Sequence, residues 1–399
     1  MNAAAWRLTL AASVLMGLAM GGRSAFGLFV SPLNTASGMG LAAISFALAL
    51  GQLGVGLAQP AIGAMADRHG PARVIVIGGL LLAATISALA VWPISAVLAL
   101  MLVASAVASS AVGSNGLLLG EVGRAVSPAR AGLAVGVIGA GGSAGQLVLG
   151  PVMQWAIDYR GWAVALLAMA ALSLVALPLS LVFRRKAGVA ASHASAPAGS
   201  VREVLREWRF WRVAASFGVC GFHIGFLGVH MPGVIERCGL PPSLAGTWMA
   251  LAGAANIAGS IVIGLALKRY PAGALLVGLY VTRALGIAGL LVLPATPQVM
   301  LGFGLLMGAS HMGTLPPTTQ LIARQHGVQR LGTLFGVVML VHQIGSFAGI
   351  WLGGWAAEVT GSDQLLWCID AALALGAAAL VWPRGGEAVK KPAMRPARA

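Results

Sequence analysis

The chain has 399 residues, of which 58% are hydrophobic and only 9% charged, with a mean hydropathy of +0.89. A water-soluble domain is excluded, because apolar runs of roughly 20 residues, long enough to cross a bilayer as a helix, follow one another along the sequence. The net charge of +15 is concentrated in the connections between these runs, so it reads as a topology signal and not as a nucleic-acid surface. Alternating ten-residue patterns of a membrane barrel are absent. The expected class is an all-α polytopic membrane protein.

Twelve spans are expected, near 6–32, 42–62, 73–92, 96–121, 131–156, 162–183, 209–235, 243–267, 273–293, 298–322, 331–357 and 364–382. The first is not read as a cleaved signal: it is long, it contains Arg23, and no small-residue cleavage site stands out before the second. With the N-terminus inside, all but four of the 25 Lys and Arg lie on the cytoplasmic side. Arg160 and Arg237 lie outside, and Arg23 and Arg283 lie within spans. The positive-inside rule therefore puts both termini in the cytoplasm of a cell with this protein in its cytoplasmic (inner) membrane.

The halves repeat at an offset of 200 residues: Arg124 matches Arg324, Arg130 matches Arg330, Gly145 matches Gly345, Trp155 matches Trp355 and Asp158 matches Glu358. Two six-helix bundles, 1–183 and 209–383, are expected, a plan known among transporters. Residues 184–208 join them. Within this segment 187–200 has the composition of a linker, and Ser200-Val-Arg-Glu203 has the capping-box spacing of a short helix running to Trp208. Residues 384–399 form a basic tail expected at the cytoplasmic surface, beside anionic lipid or simply as a positive-inside signal.

The link between spans 2 and 3 reads GAMADRHGPAR, residues 63–73. Gly63, Asp67, Arg68 and Gly70 fit in register the pattern G-x-x-x-D-R-x-G-R-[KR], while Pro71-Ala72 replace its basic pair and Arg73 follows. This link, in a twelve-span chain with a repeat, resembles that of the major facilitator superfamily. The resemblance covers essentially the whole chain. It implies two six-helix bundles, secondary transport by alternating access, no enzymatic activity, and a cavity lined by spans 1, 4, 7 and 10 with spans 2, 5, 8 and 11 beside them. Gly63 would let spans 2 and 11 approach closely, and Asp67 would face the positive end of a helix dipole. Arg68 and Arg73 would pair with acids in a cytoplasmic gate that Glu121 and Arg124 would join. The alternative is that these charges are positive-inside anchors only. The equivalent link of the second half, ending in Lys268-Arg269, has no Asp.

Polar groups at the depth of the hydrocarbon are costly and are candidates for function. In chain order they are Arg23, Asn115, Gln146, His223, Asn256, His311, and His342 with Gln343; under the superfamily plan most can converge on a substrate. Arg283 and Asp370, on the outer spans 9 and 12, are expected to form a structural ion pair. Arg23 is then the better candidate for a substrate carboxylate, with Arg283 as the alternative, since a guanidinium binds a carboxylate through two parallel hydrogen bonds. A free imidazole titrates near neutral pH, so the span histidines His223, His230, His311 and His342 are candidates for proton coupling, His311 and His342 foremost. Pro316-Pro317 breaks the backbone ladder of span 10 and is expected to place a hinge beside His311.

Arg23 to Leu33, Asn256 to Gly264 and His342 to Phe347 also resemble the monocarboxylate- and oxalate-transporter-like branch of the superfamily. Animal monocarboxylate carriers place an Asp and an Arg one turn apart on span 8; here those positions are Asn256 and Ser260, so their charge logic does not transfer. The expected function is movement of a small organic anion, a monocarboxylate, coupled to protons. The competing reading is a proton-antiport efflux pump for drugs or amphiphilic metabolites, because Gly139, Gly141, Gly142, Gly145 and Gly150-Pro151 echo the Gly-rich span 5 of antiporters. Cys220, Cys238 and Cys368 have neither metal nor disulfide spacing. No cofactor, metal or nucleic acid is expected, membrane lipids are the surroundings, and the chain is expected to act as a monomer.

Overall fold

The computed structural model describes residues 3–184, 202–327 and 330–383. Among the described residues, twelve helical segments are long and apolar enough to cross a membrane. Spans 1 to 6 are Ala3–Ser37, Leu41–His69, Pro71–Val91, Ser95–Ala125, Arg130–Arg160 and Trp162–Phe183. Spans 7 to 12 are Trp208–Arg237, Ser243–Ala266, Ala272–Val292, Pro297–His326, Leu331–Thr360 and Gln364–Val381. No strand occurs among the described residues. Residues 187–200 and the tail 384–399 lie outside the described residues, as does Ser200 of the expected capping box. The described part of the expected short helix is a single turn at 202–204, not a helix continuing to Trp208. Its Val204 is buried against the second bundle.

Within each half the packing follows one plan. Span 1 packs on span 5, span 2 on span 4 and span 3 on span 6; likewise span 7 packs on span 11, span 8 on span 10 and span 9 on span 12. The tight pairs are made by small residues, which let backbones approach where lipid supplies no hydrophobic force between helices. A Cβ on Gly21 or Gly145 would run into the facing backbone, at Gly145 and Gly17 respectively. Gly221 and Gly345 repeat this in the second half, against His342 and Gly218. Much of the glycine of span 5 is therefore spent on packing against span 1.

Four spans are interrupted among the described residues, span 6 by a turn at Leu174-Val175 between Trp162–Ser173 and Ala176–Ser180. In span 1 a 3-10 turn at Phe26–Phe29 separates Ala3–Ala25 from Val30–Ser37. Span 4 breaks at Gly113-Ser114, between Ser95–Val112 and Asn115–Ala125. At the equivalent place in the repeat, span 10 breaks at Met312–Thr314, between Pro297–His311 and Leu315–His326. Pro316 and Pro317 supply no N–H for the carbonyls one turn before them, which accounts for the interruption of span 10.

The face bearing the start of span 1, Gly70 and Arg184 is here called the linker face. Across the halves, spans 2 and 11 and spans 5 and 8 meet toward the opposite face. There the Glu358 carboxylate accepts the backbone N–H of Ala42, 2.8 Å away, at the start of span 2. Phe46 stacks edge-on against Phe347 and Trp351 at centroid distances of 6.0 and 5.5 Å. Gly27 abuts the backbone of Gly228, and Gly246 abuts Gln154. Toward the middle of the spans, Gly56 packs against Gln343 between spans 2 and 11, and Asn256 donates to Ser143 between spans 5 and 8. Beyond them, Gly63, Gly132, Gly136, Gly264, Gly332 and Gly336 would each carry a Cβ with nothing within 4 Å. The halves are thus closed on the opposite face and parted on the linker face.

Candidate functional site

Where the halves part, a cavity of about 150 Å³ lies between spans 1, 2, 5, 7, 8, 10 and 11. Arg23, Gln146, Asn256 and His311 line it, together with Gln52, Ser24 and Ser346. Its apolar wall comes from Met20, Ile224, Leu227, Trp248, Met307 and Ile350. Polar groups on a mostly apolar wall can orient a small molecule while excluding water from it.

The polar lining residues differ in what they have left to offer. Arg23 and Gln146 make no hydrogen bond or ion pair among the described residues, and neither does the His311 ring. Asn256 is partly committed: its Oδ1 accepts the N–H of Met312 at 2.9 Å, and its Nδ2 donates to Ser143 Oγ at 3.3 Å. It seals the break in span 10 and ties that break to the first half, which leaves one N–H and one lone pair of its amide to face the cavity. Gln52, which the sequence reading passed over, donates to Gln343 Oε1 at 3.2 Å across the halves. The signal for it was available: it is an uncharged polar residue in the middle of span 2.

Four expected site residues do not line the cavity. Asn115 is exposed at the restart of span 4, because the preceding Ser114 takes the inward place, capping Leu117 N–H and bonding Gln59 Oε1 at 2.8 Å. The His342 ring lies against Phe217 at 4.9 Å, and Gln343 is turned to Gln52 and Gly56. His223 shares the face of span 7 that carries Phe226, whose ring meets Trp367 of span 12. It is therefore directed away from the cavity and is fully buried.

The expected Arg283–Asp370 pair is also different in detail: His223 stands between them. Its Nδ1 is 3.3 Å from a terminal nitrogen of Arg283. A guanidinium only donates, so Nδ1 accepts and the proton of the neutral ring sits on Nε2. Nε2 is 3.2 Å from both the backbone carbonyl and Oδ1 of Asp370, with hydrogen-bond alignment only toward the carbonyl.

The residues expected to form a gate on the linker face are not assembled in this conformation. Asp67, Arg68 and Arg73 are exposed, and Glu121 pairs with Arg124 on its own helix. Gly63 makes no close approach to span 11; the tight contact of spans 2 and 11 is at the opposite end, where Gly354 abuts Ser45. Gly70 has a direct structural reason: its φ is +88°, a region L side chains rarely adopt, and Pro71 begins span 3 at the next residue.

A family model for the Major Facilitator Superfamily matches residues 12–350. The chain belongs to the major facilitator superfamily. It is a secondary transporter that works by alternating access, not an enzyme. It is 28% identical over 249 residues to "Uncharacterized MFS-type transporter YcxA" of Bacillus subtilis (strain 168), a match covering 57% of this chain and 58% of that protein. It is 23% identical over 373 residues to "Monocarboxylate transporter 13" of Bos taurus, covering 90% and 84%. Among solved structures, the nucleoside transporter NupG (D323A mutant) superposes with a TM-score of 0.77 at 14% identity, over 95% of this chain and 98% of that one. A D-xylose-proton symporter gives 0.74 at 14% identity, over 94% and 97%. These structural likenesses show the fold alone.

Proposed function

We propose that this transporter moves a small organic anion, a monocarboxylate, with protons across the cytoplasmic membrane, and that its linker face is cytoplasmic. The observation that carries the reading is Arg23. It is a guanidinium on the cavity wall with no carboxylate or other partner among the described residues, and none of the described Asp or Glu lines the cavity. An uncompensated cation in such a place is costly, and an anionic cargo offsets that cost at the moment of binding. Gln146 can take a remaining oxygen, and His311 is the cavity group assigned to the proton. The name of the Bos taurus relative agrees with this cargo class. A cationic drug has no counter-charge in this cavity, which disfavours the efflux alternative.

The test is uptake into proteoliposomes carrying the purified chain. Radiolabelled pyruvate and L-lactate should accumulate when an inward proton gradient is imposed, and a neutral pentose should not. Binding of cationic dyes with no response to any small carboxylate would overturn the anion reading.

A further inference from the structure

The buried row Asp370–His223–Arg283 does not reach the cavity, yet it ends on an element that does. Arg283 Nε donates to Ser310 Oγ at 3.1 Å, and a terminal nitrogen donates to the carbonyl of Ser310 at 2.7 Å and that of His311 at 3.5 Å. These are carbonyls of the last turn of Pro297–His311, where the helix stops. A cation at a helix C-terminus also meets the negative end of its dipole. From the other side, Asn256 holds the N–H of Met312. The interruption is thus gripped on both flanks, and His311, at its edge, lines the cavity.

The first half shows that such a break does not require charge. Span 4 breaks at the equivalent place, and there Ser114 and Gln59 suffice. Stability does not call for the charged row either, since replacing buried ion pairs by well-packed apolar groups is often neutral or favourable. What the second half has, and the first does not, is a cavity-lining side chain at the break itself.

We propose that Arg283, oriented by His223 and counter-charged by Asp370, is a positioning residue that fixes the geometry of the proline-made break at Met312–Thr314 and so presents His311 to the transport cavity. The inference rests on this cavity being the transport site, and not on the chemistry of the cargo.

The test therefore uses no substrate. Cys238→Ser and Cys368→Ser remove the two exposed thiols of the full chain, and Cys220 is buried. Into this background His311→Cys is introduced, or Ser24→Cys as a cavity control on span 1, and the rate of maleimide labelling of the purified protein is measured. Because Arg283→Gln alone leaves Asp370 without a counter-charge and can fail to fold, it is compared with the charge-balanced pair Arg283→Gln and Asp370→Asn. In the charge-balanced protein the rate at 311 should fall about tenfold, within the usual range of coupling between parts of one protein, with the rate at 24 unchanged. An unchanged rate at 311 overturns the proposal. Equal falls at 311 and 24 overturn it too, because the row would then only be holding the bundle together.

Discussion

Replacing Arg23 by Gln removes the cavity's unpaired cation while keeping much of its length and hydrogen-bonding capacity. Two unit charges about 4 Å apart interact with roughly 4 kcal/mol at the effective dielectric of about 20 that suits partly exposed sites. Arg23 is half-buried, so desolvation of both partners takes back part of this. Hydrogen bonds to charged groups net about 1.5–3 kcal/mol. The expected loss of carboxylate affinity is therefore roughly 10- to 150-fold. Arg23→Lys should recover part of it, since it keeps the charge and loses the planar fork. The assay is a titration of pyruvate against the purified protein, with proteoliposome uptake alongside. The melting temperature of the ligand-free protein supplies an independent sign. An arginine waiting for cargo costs stability, so Arg23→Gln should not lower it, while stabilisation by pyruvate should vanish. Unchanged affinity together with a lowered melting temperature would refute the reasoning and make Arg23 a structural residue.

Glu358→Gln should loosen closure of the opposite face, because the carboxylate on the N-terminus of span 2 is worth about 0.3–1 kcal/mol; distance measurements between spin labels on the two halves should show the opposite-face-open population rising a few-fold, and no shift would remove Glu358 from the closure. Gly21→Val should destabilise by about 1–3 kcal/mol, as its side chain meets the Gly145 backbone, whereas Gly136→Val, with open space around it, should melt like the parent. Asp67→Asn should slow transport several-fold and leave pyruvate binding within error, if the 63–73 link acts only when the linker face closes; wild-type uptake would leave the link its anchoring role alone. Reporter fusions at residue 195 and after residue 399 should both report the cytoplasm, and opposite sides would break the twelve-span topology.

By itself the sequence determined the solvent, the number of spans and the repeat. Those depend on local quantities: apolar runs long enough to bridge a bilayer, charges confined to the links, and identical residues recurring at one offset. It also singled out Arg23, Gln146 and His311, because polar groups at mid-span are few and lipid makes each of them costly. Which way each one turns was decided by tertiary structure. A helix advances 100° per residue, and a short run of mixed Gly, Ala and aromatic residues does not say which face meets the partner helix. So His223, next in sequence to the cavity residue Ile224, lies between Arg283 and Asp370, and His342 lies on Phe217. Asn256 sits on the cavity wall with its amide oxygen held by a broken helix that only folding brings alongside. The conformation, closed at Glu358 and Ala42 and parted around Gly63, is equally a property of how the two bundles lean. The same residues meet on one face or the other according to that tilt, and no local pattern encodes it.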